Sequence, residues 1–274
     1  MNKDTVIVRG GGDVASGAIQ KLHRSGFKVL ILEIEKPTSI RRKVSFSEAI
    51  YDQNIEIENI KASYVDSLDA VHGCWNNGKI PVVVDPDGIY IGLLKPEIVV
   101  DGILAKKNLG TNMDMAPITV ALGPGFEAGK DVNAVVETNR GHNLGRLIFK
   151  GKAADDTGVP GVIKGYSRER VIYSPYSGII NNIKDIGDTV KSGETIAHVE
   201  GFKVTANISG ILRGIIRDRT IVKEGLKIAD VDPRISERKN CFTISDKARN
   251  IGGGVLEAVM YLKKKNIKYT ISAC

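Results

Sequence analysis

A glycine-rich turn near the start of the chain has the residue spacing of a dinucleotide-binding turn. Gly10, Gly12 and Ala15 follow a short apolar segment and satisfy the pattern G-x-G-x-x-A. In such a turn the glycines let the backbone bend and approach a pyrophosphate, and the helix that follows presents amide donors to the anion. Glu33 ends the next apolar segment, where a carboxylate can accept a hydrogen bond from a ribose hydroxyl. The pattern predicts a cofactor site formed by Gly10, Gly11, Gly12, Asp13, Ala15 and Glu33.

Asp13 argues against an ordinary NAD site. A carboxylate directly after the glycines would repel any phosphate that it faced, so we expect it to cap the helix or to hold neighbouring amides. The alternative interpretation is a glycine-rich turn that packs against its neighbours and binds nothing.

Two later loops carry further candidate contacts. Each follows an apolar segment, and the carboxyl ends of parallel strands are where doubly wound sheets place ligands. The expected cofactor contacts are Lys106, Lys107, Asn108 and Thr111 in the first loop and Gly123 and Gly125 in the second. A solvated, charged loop is the alternative for the first of them.

One segment combines the residue types of acid–base chemistry. Arg140 can bind a phosphate or carboxylate through two parallel hydrogen bonds, and His142 carries an imidazole, the side chain that most often serves as a general acid or base. Together with Glu137, these residues are the predicted catalytic group. The alternative is a set of hydrogen-bonded loop residues without a catalytic role.

Composition excludes several classes of protein. Cys74, Cys241 and Cys274 are widely spaced and form no CxxC pair, so we expect no metal site and no disulfide framework. No apolar run is long enough to span a membrane, and no leader segment is recognisable. The formal net charge of +7 suits an anionic small molecule without requiring nucleic acid. We therefore expect a cytoplasmic protein with neither a membrane nor a nucleic-acid partner; a homo-oligomer is compatible with the sequence.

The first 150 residues alternate apolar segments with helical patterns. Segments 5–9 and 28–34 are read as strands on either side of a helix over 14–25, and segment 55–65 as a further strand. Segment 80–88 is read as another buried strand that ends in a turn. Continuous apolar strands with helices between them favour a parallel sheet covered on both faces. The predicted fold class is α/β, with a Rossmann-like parallel sheet domain.

A repeat follows. Segment 173–199 aligns without a gap with segment 205–231, and both copies contain S-G-I, V-K-x-G and I-A-x-V. This pattern resembles the all-β barrel-sandwich hybrid fold of biotinyl and lipoyl domains, with Lys203 near the position of their modified lysine. Because no methionine flanks Lys203 and the hairpin is short, we expect no covalent biotin or lipoate. The predicted domains are 1–160 (Rossmann-like), 161–235 (inserted barrel-sandwich module) and 236–274 (a C-terminal helical segment packing on the first).

Motifs along the whole chain, among them VIVRGGGDVASG, PVVVDPDG, ILAKKNLGT, ETNRGHNLGR and SDKARNIGGGVLEA, resemble the selenium-dependent molybdenum hydroxylase accessory family of YqeB type. The N-terminal part is similar to XdhC-type Rossmann-like domains. The resemblance implies a maturation protein that binds or delivers molybdopterin dinucleotide to a molybdenum hydroxylase apo-enzyme. The alternative, from the glycine turn alone, is an NAD(P)-dependent oxidoreductase or a nucleotide-dependent transferase.

Overall fold

Apolar segments form the central sheet of the computed structural model, which describes residues 2–272 and the side chains of residues 4–265. The strands up to residue 152 are β1 (Asn2–Arg9), β2 (Lys28–Glu33), β3 (Asn54–Ile57), β4 (Ile60–Tyr64), β5 (Ile80–Val84), β6 (Pro96–Asp101), β7 (Ile118–Leu122), β8 (Glu127–Ala128), β9 (Ala134–Val136), β10 (Leu147–Ile148) and β11 (Gly151–Lys152). The α-helices are α1 (Asp13–Arg24), α2 (Ala49–Asp52), α3 (Leu68–Asn76), α4 (Ile89–Leu94) and α5 (Asp246–Ser272).

Nine of these strands form one sheet, in the order β10-β9-β7-β6-β1-β2-β5-β4-β3. Strands from β9 to β4 pair in parallel, while β3 and β10 pair antiparallel with their neighbours at the two edges. The antiparallel edge at β3 has a local cause. Glu58 and Asn59 both have positive φ, 48° and 67°, and make the two-residue turn that joins β3 to β4 as a hairpin. The predicted Rossmann-like parallel sheet is therefore corrected to a mixed sheet, and the single strand expected over 55–65 is two strands.

The order of strands places a topological switch at β1. The chain passes from β1 through α1 to β2 on one side, and returns later to place β6 on the other side. In open α/β sheets, a crevice forms at the carboxyl ends of the two strands where the direction of winding reverses. Here those strands are β1 and β6.

Alternate residues of each central strand face opposite sides of the sheet. Val6 and Val8 lie in the core beneath α1 and α5, whereas Ile7 packs with α3 and α4 on the other face. All three side chains are fully buried. Helices therefore cover both faces, which explains why these strands are continuously apolar.

Glycines let α1 and α5 touch through their backbones. A Cβ at Gly17 would lie 2.1 Å from the carbonyl oxygen of Ala248, and one at Gly252 would lie 2.4 Å from that of Gly17. Farther along, Lys263 lies over the ring of Phe27, with its Nζ 5.3 Å from the ring centroid. The two helices therefore run in the same direction, and both begin at the carboxyl edge of the sheet.

The chain divides into two compact units. The first holds the described residues up to Pro37, Phe46–Asp156 and the residues from Ile244 onward; the second holds Thr38–Ser45 and Thr157–Thr243. The strands of the second unit are β12 (Val171–Tyr173), β13 (Gly178–Asn182), β14 (Thr189–Val190), β15 (Thr195–Val199), β16 (Phe202–Thr205), β17 (Gly210–Ile215), β18 (Ile221–Val222) and β19 (Lys227–Asp232).

The predicted barrel-sandwich insertion is corrected by this arrangement. The repeat does form antiparallel strands, but they lie in two four-stranded sheets, β12-β19-β17-β14 and β16-β15-β13-β18. The unit also incorporates a segment far away in sequence: Arg41 donates to the carbonyls of Asn240 and Thr243, and Arg42 donates to that of Ile215. The unit is therefore not a single inserted stretch of chain. A repeat in the sequence indicates strands and turns, but it does not determine which distant segment completes the unit.

Across the part of the chain that the structure describes, no helix combines the length and apolar character needed to cross a membrane.

Candidate functional site

The glycine turn is packed against backbone on two sides. Gly10 has φ +88°, and a Cβ there would lie 3.0 Å from backbone atoms of Ile103. A Cβ at Gly11 would lie 2.9 Å from the amide nitrogen of Ser47, which donates to the Gly11 carbonyl at 3.0 Å. Close packing thus accounts for two of the three glycines.

Glu33 holds this turn from the neighbouring strand. Its Oε1 accepts from the Gly11 amide at 2.6 Å, and its Oε2 accepts from the Ile34 amide at 3.0 Å. Burial raises the pKa of the Glu33 carboxyl, although these two hydrogen bonds favour the charged form. Glu33, which was expected to bind a ribose, therefore lies beside the glycine turn. Each of its carboxylate oxygens already accepts a hydrogen bond from a backbone amide.

The start of α1 faces the crevice between β1 and β6. Gly12 is the N-cap, with φ −63° and ψ 176°, and makes no side-chain capping hydrogen bond. The first bond within the helix runs from the Ser16 amide to the Gly12 carbonyl at 2.8 Å. The amides of residues 13–15 therefore have no acceptor inside the helix, as at any helix N-terminus. Asp13 is the first helical residue.

The loop after β6 is fixed by its own polar residues. Asn108 accepts from the Gly110 and Thr111 amides through Oδ1 and donates to the Thr111 carbonyl. The Thr111 hydroxyl is fully buried and hydrogen bonded to two charged side chains. These contacts give Asn108 and Thr111, two expected ligand contacts, a role in holding the loop.

Lys106 and Lys107 lie at the exposed end of the same loop. Lys106 forms an ion pair with Asp156, with 2.6 Å between its Nζ and Oδ2. The backbone of Lys107 runs past Gly125, where a Cβ would lie 2.7 Å from it. At the end of β7, a Cβ at Gly123 would lie 2.4 Å from the Thr138 hydroxyl oxygen. The structure therefore brings the loops after β6 and β7 together, and their glycines allow close backbone approach.

A cavity of about 390 Å³ opens beside these two loops. Its lining combines three lysines with four carboxylates around the turn at Phe126: Lys106, Lys130, Lys152, Glu127, Asp131, Asp155 and Asp156. Its volume falls in the range of small-molecule sites. Two of its lysines form ion pairs with carboxylates of the lining, Lys106 with Asp156 and Lys152 with Glu127.

The predicted catalytic residues share one loop but are engaged differently. Glu137 is buried, and its carboxylate accepts from the Asn139 and Ala154 amides at 2.7 and 2.8 Å. Arg140 is exposed and bridges to Asp246 through both terminal nitrogens, at 3.1 and 3.2 Å. His142 is exposed on the same loop. Glu137 therefore supports the loop backbone, and only Arg140 and His142 face solvent.

Lys247 is a residue that the sequence reasoning did not select. It lies in the first turn of α5, and burial, together with the charge of Arg140, lowers the pKa of its ammonium group. Asp13, Asp156 and Glu137 act on it in the opposite sense. Since α1 and α5 begin side by side, Lys247 places a half-buried cation next to the start of α1. Lys247 and Asp13 are far apart in the sequence, so the sequence does not indicate that they lie close together.

Among the residues whose side chains are described, no group of three or more His, Cys, Asp or Glu residues is arranged to hold a metal ion. Cys74 and Cys241 are free thiols, and burial raises the pKa of each. Cys274 lies outside the described residues.

No family model matches the chain. It is 48% identical over 265 residues to the protein described as Uncharacterized protein YqeB from Escherichia coli (strain K12), in an alignment covering 97% of this chain and 49% of that protein. The chain thus spans about half the length of the curated relative it matches.

Two solved structures show distant likeness. The product-bound ectoine utilization protein EutE (DoeB) from Ruegeria pomeroyi is 12% identical, with a TM-score of 0.23 over 83% of this chain and 57% of that one. A succinylglutamate desuccinylase from Silicibacter sp. TM1040 is 14% identical, with a TM-score of 0.25 over 83% of this chain and 84% of that one.

These comparisons correct the resemblance drawn from the motifs. The relative is described as uncharacterized, and no family model supports the XdhC-type interpretation. The assignment to the selenium-dependent molybdenum hydroxylase accessory family is therefore wrong, and so is the XdhC-type interpretation of the first part. The motifs that suggested it run through the region shared with the uncharacterized relative, so they describe that shared sequence without giving it an activity.

Proposed function

We propose that this chain binds a phosphate-bearing ligand of dinucleotide type at the carboxyl edge of the nine-stranded sheet. The observation that carries the proposal is the position of the glycine turn and the α1 N-terminus at the topological switch between β1 and β6. A maturation role for molybdenum hydroxylases is not part of the proposal.

The phosphates are assigned to the start of α1. The amides of its first turn and the positive end of the helix dipole favour an anion there. The half-buried Lys247 supplies an amine side chain from the neighbouring helix, and Asp13, Asp156 and Glu137 favour its charged form. The carboxylate of Asp13 disfavours an anion at this position, so the site depends on Lys247 to offset that carboxylate.

The rest of the ligand is assigned to the cavity beyond β7. Lys106 lines that cavity and pairs with Asp156, whose charge also acts on Lys247. Asp156 therefore interacts with a cation of the cavity and also influences the lysine beside the α1 N-terminus electrostatically. The mixed lining suits a sugar or a polar ring better than an apolar group.

The proposal stops at binding. Glu137, the carboxylate expected to do acid–base work, has both oxygens engaged by backbone amides. A nicotinamide-dependent reaction is an outcome of the binding test rather than a part of the proposal. The cytoplasmic location expected from the sequence stays in the proposal, since the free thiols of Cys74 and Cys241 fit a reducing compartment.

The test is calorimetric titration with inorganic pyrophosphate, NADH, NADPH, CTP and molybdopterin dinucleotide, using two variants of Gly12. Its φ and ψ are accessible to any residue, and Asn and Asp are equally good N-caps with the same shape. The pair Gly12→Asp and Gly12→Asn therefore differs only in charge. We expect wild type to bind at least one of these ligands, and Gly12→Asp to bind it about tenfold more weakly than Gly12→Asn.

Equal affinities of the two variants would show that the phosphate does not bind at the α1 N-terminus. Failure of all five ligands to bind wild type would contradict the proposed function. Selective binding of NADH or NADPH would direct the next experiment to a hydride-transfer reaction.

A further inference from the structure

A buried ionic group lies directly beneath the crevice at the topological switch. Arg9 and Asp101 end β1 and β6 and face each other in the register of these two parallel strands. Only 5% of Arg9 and 1% of Asp101 is exposed. Burying two opposite charges costs more desolvation energy than filling the same space with apolar side chains, so stability alone does not explain the pair.

The hydroxyl of Thr111 joins the two charges. Arg9 Nη1 donates to the Thr111 Oγ1 at 2.5 Å, and that hydroxyl donates to Asp101 Oδ2 at 2.6 Å. The direct distance from Arg9 Nη1 to Asp101 Oδ2 is 3.9 Å, too long for a hydrogen bond. The connection between the two charged groups therefore passes through Thr111.

Arg9 also holds two site loops. Its Nη2 donates to the carbonyl of Pro86 after β5, at 3.2 Å, and to that of Leu109 in the loop after β6, at 3.4 Å. Asp101 accepts from the Ile103 amide at 3.1 Å, at the beginning of the same loop. One buried group thus holds both ends of the segment 102–111, which carries Lys106 and lies against Gly10.

We propose that Thr111 is a positioning residue, whose hydroxyl couples Arg9 to Asp101 and thereby holds the loop 102–111 in the conformation that receives the phosphate-bearing ligand. This inference rests on the proposed function. Thr111 itself is buried and does not touch the ligand. It acts through the loop, so its loss weakens binding without removing a ligand contact.

The experiment compares three variants: Thr111→Val, Thr111→Ser and Thr119→Val. Thr119 is the matched control because it is equally buried and its hydroxyl also makes two hydrogen bonds, both to Asn133, away from the charged pair. Thermal unfolding, affinity for the ligand that binds wild type, and amide hydrogen exchange of residues 102–111 are measured for each.

We expect Thr111→Val to bind about tenfold more weakly and to exchange the amides of 102–111 about tenfold faster, because a hydrogen bond to a charged group is lost on each side. Thr111→Ser keeps the hydroxyl and should restore both properties. Thr119→Val should lower the unfolding temperature by a similar amount, and should leave the ligand affinity and the amide exchange of residues 102–111 unchanged.

Equal effects of Thr111→Val and Thr119→Val on affinity would overturn the proposal, as would unchanged exchange in Thr111→Val. If Thr111→Val does not fold, Asp101→Asn replaces it, since the amide keeps the shape and removes the charge; normal affinity in that variant would also overturn the proposal. If wild type binds none of the probes, the proposed function fails, and hydrogen exchange alone decides whether Thr111 holds the loop.

Discussion

The amino and carboxyl ends of the central parallel strands are closed by different contacts. We call these two sides of the nine-stranded sheet its amino edge and its carboxyl edge. At the amino edge, Lys263 of α5 reaches Asp4 and Glu97, where β1 and β6 begin, with distances of 2.9 and 2.7 Å from its Nζ to their carboxylates. At the carboxyl edge the same two strands end in Arg9 and Asp101, whose contact requires a third side chain. The amino edge is closed by direct ion pairs, and the carboxyl edge opens into loops.

The difference indicates where a ligand can be accommodated. A cation that contacts two carboxylates directly has little capacity left for an anionic ligand, whereas Lys247 at the other edge lies at the start of two helices. The longer loops, the glycine turns and the cavity also lie at the carboxyl edge. We infer that one edge serves stability and the other serves binding.

The largest effect is expected where α1 touches α5, because this contact aligns both helices with the sheet. Gly252→Ala would place a methyl group against the Gly17 carbonyl, whereas a Cβ at Gly253 meets nothing within 4 Å. We expect Gly252→Ala to lower the free energy of unfolding by about 3 kcal/mol. Gly253→Ala should raise it by about 0.5–1 kcal/mol, since alanine favours a helix. Urea unfolding of the two variants measures both; equal changes would mean that the helices do not touch there.

The next effect concerns binding at the carboxyl edge. Lys247→Met removes the cation beside the α1 N-terminus and keeps much of the apolar stem, so affinity for the phosphate ligand should fall about tenfold. The salt dependence of binding should become shallower as well. Isothermal titration at two ionic strengths measures both quantities. Unchanged affinity would show that Lys247 does not contribute to ligand binding.

Glu33 gives a pH-dependent prediction. Because burial raises the pKa of its carboxyl, the folded state holds this proton to a higher pH than the unfolded chain does. Between the ordinary pKa, about 4.3, and the raised value, the folded state binds more protons, so the free energy of unfolding falls as pH rises. The stability of wild type relative to Glu33→Gln should therefore decline through this interval and then level off. Urea unfolding of both proteins across the interval measures it; a constant difference would contradict the raised pKa.

The smallest effect is expected at the amino edge. Lys263→Met breaks ion pairs that are partly exposed, so the free energy of unfolding should fall by about 1 kcal/mol or less. Ligand affinity should equal that of wild type, which titration of the same ligand checks. A large loss of affinity would show that the two edges are not separate in function.

The sequence predicts the central strands because their burial on both faces leaves a continuous apolar pattern. Segments 5–9 and 28–34 are confirmed as β1 and β2, with small differences at their ends. The strand expected in 80–88 is confirmed as β5, which ends at Val84. The mixed edge was missed because Glu58 and Asn59 lack the Asn-Gly signature of a tight hairpin, although both adopt positive φ.

The candidate site is harder to predict than the strands. A polar residue at a strand end can serve a ligand or its own loop, and the sequence does not distinguish the two. The polar side-chain atoms of Asn108, Thr111 and Glu137 form hydrogen bonds with other groups of the protein. Lys247 was missed for a different reason, since only the packing of two helices distant in sequence brings it to the start of α1. The ligand contacts that were predicted from the amino-acid sequence remain predictions.

A nitrogen-15 NMR titration of wild type with inorganic pyrophosphate tests directly whether an anion binds at the start of α1. We expect saturable chemical-shift changes confined to the amides of residues 12–15 and 246–248, with smaller changes along 102–111. The amides near Asp4 and Glu97 should not move. Shifts at that amino edge, or none at residues 12–15 at saturating pyrophosphate, would contradict an anion site at the start of α1.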